Sequence, residues 1–166
     1  PGSEDARRAG AQLAWCELRL GRPAAAKARA DRVLGPFPDD PHGRLVRGAL
    51  RAEAGDFPGA LEDLRAAEGH VDTAPHASLR LAALLVAHGR LREAAPRVRA
   101  LLRRRAQEPA VRLVAGWYAL GRGDVATART HAEAALRLAP ELAAARALAS
   151  EVAARSHGAG GAGPRT

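Results

Sequence analysis

The stretch GWYALGRGDVATARTHAEAALRLAP, residues 116–140, contains the features that decide the fold. Gly123 is the last of four glycines spaced 34 residues apart, and Ala128 is the last of four alanines with the same spacing. The glycines are Gly21, Gly55, Gly89 and Gly123, and the alanines are Ala26, Ala60, Ala94 and Ala128. A period of 34 residues with no slip is typical of an array of stacked helix–turn–helix units.

Prolines and acidic residues recur where helices are expected to begin. A proline fits the first turn of a helix because its missing N–H would have no partner there, and an aspartate just before a helix can accept a hydrogen bond from a free N–H group. The prolines are Pro41, Pro75 and Pro109, and the aspartates are Asp40, Asp56 and Asp124. Each unit is therefore predicted to hold two helices separated by a turn at the periodic glycine.

Small residues also keep the period, at Ala14, Gly48, Ala82 and Gly116. We expect them where the two helices of one unit pack most closely, because a larger side chain would force the helices apart at a cost of about 1–3 kcal/mol.

The fourth helix–turn–helix repeat resembles a tetratricopeptide repeat of the bacterial type. The resemblance depends on Gly116, Gly123-Asp124-Val125, Ala128, Ala135-Leu136 and Pro140, and it extends over about residues 7–142. It implies an all-α fold, a right-handed superhelical solenoid of antiparallel helix pairs. The family's tryptophan is replaced by Gly10, Arg44, Ser78 and Arg112, and its tyrosine by Glu17, Arg51, Leu85 and Ala119.

The period divides the chain into four repeats, at about 7–40, 41–74, 75–108 and 109–142. An amphipathic helix predicted over 141–155 would cap the last repeat, which gives one domain over 4–155. Residues 1–3 have the sequence of a cleaved-tag remnant, so we interpret the chain as a piece of a longer protein. The Gly-rich residues 156–166 are predicted to be a flexible tail.

Composition limits the classes of function. The 166 residues carry a net charge of +8, and Lys27 is the single lysine among 26 basic residues. The excess of arginine over lysine fits a GC-rich coding sequence. The positive charge would also attract an acidic partner, nucleic acid or an anionic membrane. The chain has no apolar run of about 18 residues that could span a membrane. The single Cys16 is compatible with a reducing compartment, and we expect a cytoplasmic protein.

The sequence contains no motif for catalysis, a cofactor or a metal. It has no nucleophile elbow, phosphate-binding loop or paired carboxylates on one inner face. His42 and His76 occupy the same position in adjacent repeats, and we interpret them as solvent-exposed residues rather than as metal ligands. The chain is predicted not to be an enzyme and to need no cofactor.

The resemblance implies that the first helices of the repeats line a concave binding face. The side chains we expect to contact a partner there are Trp15, His42, Leu45, His76, Leu79, Arg80, Leu113 and Trp117. Leu45, Leu79 and Leu113 share the 34-residue period, and an exposed apolar stripe of this kind usually marks a binding site. The predicted function is therefore a protein-interaction scaffold that binds an apolar or amphipathic peptide. The histidines and Arg80 would add polar selectivity.

Three alternatives stay open at this point. The helices could be rotated, which would place the leucines in the core and the row Arg44, Arg47, Arg51 and Arg112 in solvent. The basic cluster of Arg97, Arg99 and Arg103-Arg104-Arg105 could bind nucleic acid or an acidic partner. The chain could also assemble with itself through the groove or the ends of the array. The family's carboxylate clamp is not expected, because among its positions only Arg80 matches.

Overall fold

The computed structural model describes the backbone of residues 4–160 and the side chains of residues 4–156. Within this range the structure is entirely helical, which confirms the predicted all-α class. The helices are α1 Glu4–Arg19, α2 Pro23–Leu34, α3 Pro41–Glu53, α4 Phe57–Glu68, α5 Ala74–Ala87, α6 Leu91–Arg105, α7 Pro109–Gly121, α8 Val125–Leu138 and α9 Ala143–Gly160.

The periodic glycines form the turns that end α1, α3, α5 and α7. Gly21, Gly55, Gly89 and Gly123 have φ values of 71°, 81°, 69° and 79°. Residues that carry a Cβ atom disfavour this left-handed region of backbone conformation, whereas glycine adopts it without penalty. The reversal between paired helices is thus set by a single residue in each repeat.

The three predicted aspartates cap their helices. Each carboxylate accepts a hydrogen bond from a backbone N–H group three residues later. The donors are Gly43 for Asp40 (2.8 Å), Gly59 for Asp56 (3.0 Å) and Thr127 for Asp124 (3.0 Å). The hydrogen bond from Thr127 is also the main reason that the pKa of Asp124 is lowered.

The chain divides into two compact units, and the boundary between Leu84 and Leu85 falls within α5. In the first unit, α1 packs against α2 and α3, and α3 packs against α4. In the second unit, α7 packs against α6 and α8, and α9 packs against both α7 and α8.

Alanine, leucine and valine build both core clusters, in a sequence whose residues are only 3% aromatic. The first core cluster comprises Ala14, Leu18, Ala26, Ala30, Val46 and Ala49. The second comprises Ala119, Leu120, Ala128, Ala132, Leu148 and Val152. The four periodic alanines are all fully buried. Small side chains at these positions let the helices of a pair approach closely.

The C-terminal helix differs from its predicted bounds. It begins at Ala143 and continues to Gly160, so residues 156–160 are helical rather than part of a tail. Ser156 supports this extension, because its hydroxyl donates a 2.8 Å hydrogen bond to the carbonyl oxygen of Val152. Residues 1–3, interpreted as a tag remnant, and residues 161–166 lie outside the described part of the chain.

Candidate functional site

The predicted ladder of exposed leucines does not exist as one open stripe. Leu45 is only 1% exposed, so its side chain lies in the core and not on an open face. The helix that carries it, α3, packs against α1, α2 and α4, and therefore buries apolar residues on more than one side.

The other leucines of the predicted ladder are half-buried. Leu79 belongs to the first unit and Leu113 to the second. Leu113 and Trp117 both pack against the core cluster of the second unit. Much of their side-chain surface is therefore used for internal packing.

The row of arginines does not simply face solvent either. Arg47 and Arg51 both bind the fully buried carboxylate of Asp63 in α4, at 2.7 Å and 2.8 Å. Arg112 donates a 2.7 Å hydrogen bond to the carbonyl oxygen of Ala106. Of these side chains, Arg51 replaces the family's tyrosine and Arg112 replaces its tryptophan.

Three residues predicted as contacts do come together, and we call Trp15, His76 and Arg80 the aromatic cluster. The ring centroids of Trp15 and His76 are 5.2 Å apart, with a tilt of 48°. The Arg80 guanidinium lies over the indole, 5.1 Å from its centroid. His76 and Arg80 are four residues apart in α5, which places their side chains on the same face of the helix. The cluster therefore joins α1 to the first half of α5.

The cluster is only half-covered by the rest of the protein. Trp15 packs against the first core cluster, and part of its side chain remains exposed to solvent. Burial lowers the pKa of Arg80, and the nearby negative charge of Glu53 opposes this shift. Among the described residues, no hydrogen-bond acceptor is paired with the Arg80 guanidinium. Its charge is thus partly desolvated, and it is stabilised by the negative charge of Glu53 and by the indole, through a cation–π contact of about 0.5–2 kcal/mol.

His42 lies in a different feature, a polar pocket of about 540 Å³ in the first unit. Two ion pairs border this pocket, Arg8 with Asp72 at 3.1 Å and Arg7 with Asp40. Burial lowers the pKa of His42, while the carboxylates of Asp40 and Asp72 act in the opposite direction. The lining contains four carboxylates, from Glu4, Asp39, Asp40 and Asp72, but only two arginines, so the two ion pairs leave the pocket with an excess of negative charge.

Sequence reasoning gave little weight to Glu53 and overlooked Asp72. Glu53 is the last residue of α3, the first helix of its repeat, and the resemblance implies that the first helices line the binding face, so its position was an available signal. Asp72 precedes α5, and its pairing with Arg8, 64 residues earlier, depends on the packing of the repeats.

The described residues contain neither a metal-binding cluster nor a membrane-spanning helix. No group of three or more His, Cys, Asp or Glu side chains in this part of the chain could hold a metal ion. No helix among the same residues is both long and apolar enough to cross a membrane.

Two sequence models of the tetratricopeptide repeat match the chain, one over residues 51–116 and the other over residues 12–77. Together they extend over residues 12–116 and include the aromatic cluster. No curated protein matches the sequence significantly.

Solved structures with similar folds come from several bacteria. PilF of Pseudomonas aeruginosa has a TM-score of 0.72 at 19% identity, covering 98% of this chain and 79% of that one. A thermophilic TPR protein of Thermus thermophilus has a TM-score of 0.70 at 21% identity, with coverages of 93% and 90%. Residues 41 to the end of MamA from Desulfovibrio magneticus have a TM-score of 0.64 at 17% identity, with 92% of both chains covered. At these identities the likeness concerns the fold alone.

Proposed function

Because the chain belongs to the tetratricopeptide repeat family, whose repeats are in general protein-interaction scaffolds, we propose that it binds an amphipathic peptide segment without catalysis. The binding surface is the first-helix face, which we define as the outward side chains of α1, α3 and residues 74–84 of α5. The observation that carries this proposal is the half-covered aromatic cluster of Trp15, His76 and Arg80. Tryptophan and arginine are the residue types most enriched among interface hot spots.

The composition of the exposed face favours an amphipathic partner over a purely apolar one. Trp15 and Leu79 are half-buried, whereas Gln12, Arg19 and Glu53 are exposed. An apolar side chain of the partner can cover the indole, and polar groups beside it can remain hydrated at the rim. A carbonyl or carboxylate oxygen of the partner can also accept a hydrogen bond from Arg80.

The proposed contacts are a subset of those expected from the sequence. They are Trp15, His76, Leu79 and Arg80, with His42 at the margin in the polar pocket. Leu113 and Trp117 support the core of the second unit, so we assign them a structural role first.

The test begins with peptides selected from a random display library against the full chain. Binding is then measured through the fluorescence of Trp15 in a Trp117→Phe background, where the indole of the aromatic cluster is the sole tryptophan reporter. We expect selected peptides to change this emission and to bind about tenfold more weakly to His76→Ala and Arg80→Ala variants. Leu138→Ala serves as the matched control, because Leu138 is also partly exposed but lies in α8.

Two outcomes would overturn the proposal. One is that selected peptides bind both cluster variants as well as the wild type, with no change in Trp15 emission. The other is a mass in light scattering that rises with concentration and no longer rises in the cluster variants, which would show that a second copy of the chain occupies the face. Circular dichroism and melting curves for each variant ensure that lost binding is not lost folding.

A further inference from the structure

The net charge of the chain is distributed very unevenly. Residues 1–84 contain twelve basic and twelve acidic residues, whereas residues 85–166 contain fourteen arginines and six acidic residues. The whole excess of +8 therefore belongs to the second half. An asymmetry of this kind favours binding of the basic half to a negatively charged partner, whether nucleic acid, an anionic membrane or an acidic protein.

Part of this charge surrounds a depression in the second unit, which we call the basic pocket. It has a volume of about 820 Å³ and lies between α6, the turn before it and the end of α7. Its charged lining residues are Arg90, Arg92, Glu93, Arg99 and Arg122. The volume lies within the usual range for ligand sites, about 300–1,000 Å³.

The arginines of the basic pocket are poorly neutralised. Glu93 is the one acidic lining residue, and Arg90 already binds it through a 2.6 Å hydrogen bond. Arg92 and Arg99 are exposed and have no ion pair or hydrogen bond within the described chain. Arg122 lies over the ring of Tyr118, 5.8 Å from its centroid.

The two unpaired arginines are also aligned. Arg92 and Arg99 are two helical turns apart in α6, so their Cα atoms are separated by about 10 Å along the helix axis. A guanidinium group presents a planar fork that binds a carboxylate through two parallel hydrogen bonds. Two such forks at this spacing can engage acidic side chains several residues apart in one partner segment.

We propose that the basic pocket is a second interaction site, which binds an acidic segment of a protein partner through Arg92, Arg99 and Arg122. The site is on α6 and α7 and is independent of the aromatic cluster. Carboxylates of the partner would pair with the arginines, and an apolar stem could rest on Pro96, which is exposed at the pocket wall.

The residues that line the pocket favour a protein segment over single-stranded nucleic acid. Nucleic-acid grooves combine positive charge with a succession of aromatic faces on which bases stack. Among the described lining residues, Tyr118 is the one aromatic, and Arg122 already covers its ring. The pocket therefore offers positive charge in an open depression, but no succession of aromatic faces on which bases could stack.

The experiment compares the full chain with two variants of equal charge. Arg92→Glu/Arg99→Glu alters the pocket, whereas Arg104→Glu/Arg137→Glu changes two exposed arginines outside it. The probes are a fluorescein-labelled oligoglutamate peptide of about ten residues and a labelled oligothymidylate of the same length, and binding is followed by fluorescence anisotropy. The ionic strength is about 0.15 M, where exposed charges more than about 8 Å apart are largely screened.

We expect the pocket variant to bind oligoglutamate about tenfold more weakly and the control variant to lose less than about twofold. Equal losses in both variants would overturn the proposal, because binding would then follow net charge alone. Tighter binding of oligothymidylate, lost in the pocket variant, would assign the site to nucleic acid and also contradict it. Absence of any oligoglutamate binding by the wild type would refute it directly.

Discussion

At the scale of single residues, two repeats use the same pair of positions with opposite charges. The eleventh and twenty-third positions hold Glu17 and Arg29 in the first repeat, and Arg51 and Asp63 in the second. Glu17 accepts two hydrogen bonds from Arg29, at 2.9 Å and 3.0 Å, and Arg51 binds Asp63 at 2.8 Å. An ion pair thus crosses between the two helices of each repeat where the family has an aromatic residue. The carboxylate lies on the first helix in one repeat and on the second helix in the other, and in both repeats it faces an arginine.

The Asp63→Asn variant tests the importance of the buried carboxylate. Asp63 is fully buried, so its removal leaves Arg47 and Arg51 with a weaker acceptor. Breaking a buried ion pair costs about 3–5 kcal/mol, and we expect about 3 kcal/mol here because both arginines can still reach water. Urea denaturation measures the loss in free energy of unfolding.

The control for this variant is Asp31→Asn. Asp31 pairs with Lys27 on the surface, at 2.6 Å, and an exposed pair contributes only about 0–1 kcal/mol. Similar losses in the two variants would contradict a special role for the buried carboxylate.

His131 is predicted to make stability depend on pH. Burial, followed by the positive charge of Arg112, lowers the pKa of His131 in the folded state. Below the ordinary pKa of about 6.5, the unfolded chain therefore binds a proton that the folded chain does not. The free energy of unfolding should decrease as the pH falls from about 7 to about 5, by at most about 1.4 kcal/mol per pH unit for this group.

Replacing His131 by glutamine should make the pH dependence shallower, as measured by denaturation at several pH values. His88→Gln is the matched control, because His88 is exposed. If the free energy of unfolding of the His131→Gln variant changes with pH as steeply as that of the wild type, the pKa of His131 does not differ between the folded and unfolded states. His42 should add to the wild-type slope, since its pKa is lowered in the same direction.

At the scale of elements, α9 is held by a close approach to α7. A Cβ atom added at Gly116 would collide with the side chain of Leu148, which is fully buried. Val152 is buried one turn later on the same side of α9. Arg155 extends the contact, because it donates a 3.1 Å hydrogen bond to the carbonyl oxygen of Leu120. We infer that α9 is needed to cover the last helix pair, as a capping helix would.

The Leu148→Ala variant should destabilise the chain through the cavity it leaves. Leucine-to-alanine changes at buried sites typically cost about 2–5 kcal/mol. In Leu138→Ala the replaced side chain is 39% exposed, and we expect a loss below about 1 kcal/mol. Thermal and urea melts compare the two, and equal losses would mean that α9 contributes little to stability.

At the scale of the whole molecule, charge is the property that distinguishes one half of the sequence from the other. The first half is neutral and many of its charges are paired, whereas the second half carries the full excess of +8. Repulsion among like charges destabilises a compact state and is screened by salt. Stability of the second half is therefore expected to depend on ionic strength.

The Arg104→Glu/Arg137→Glu variant should melt at a higher temperature than the wild type at low salt. About 1 kcal/mol of relieved repulsion corresponds to roughly 2–4 °C for a chain of this size. The difference should disappear at about 1 M salt, where the Debye length falls to about 3 Å. Calorimetry at both ionic strengths measures it, and a difference that persists at high salt would point to a local contact instead.

The helix pairs, their turns and their caps could all be predicted from the amino-acid sequence. Each of these features depends on residues close together in the chain, such as Gly123, which adopts a positive φ, and Asp124, which accepts a hydrogen bond from the N–H group three residues later. The 34-residue period then predicts stacking of the pairs, because one pair cannot bury its apolar face alone. The cluster partners Trp15, His76 and Arg80 were predicted individually from their repeat positions.

Only the tertiary structure decided which sides of the helices are covered. Leu45 has the same spacing as Leu79, yet it is buried, because α3 has neighbours on several sides. The period is equally compatible with a leucine in the groove or in the core, since both lie on the apolar side of the same helix. Pairings such as Asp63 with Arg47, or Trp15 with His76, link residues distant in the chain. They depend on the rotation and spacing of packed helices, which a repeat pattern does not specify.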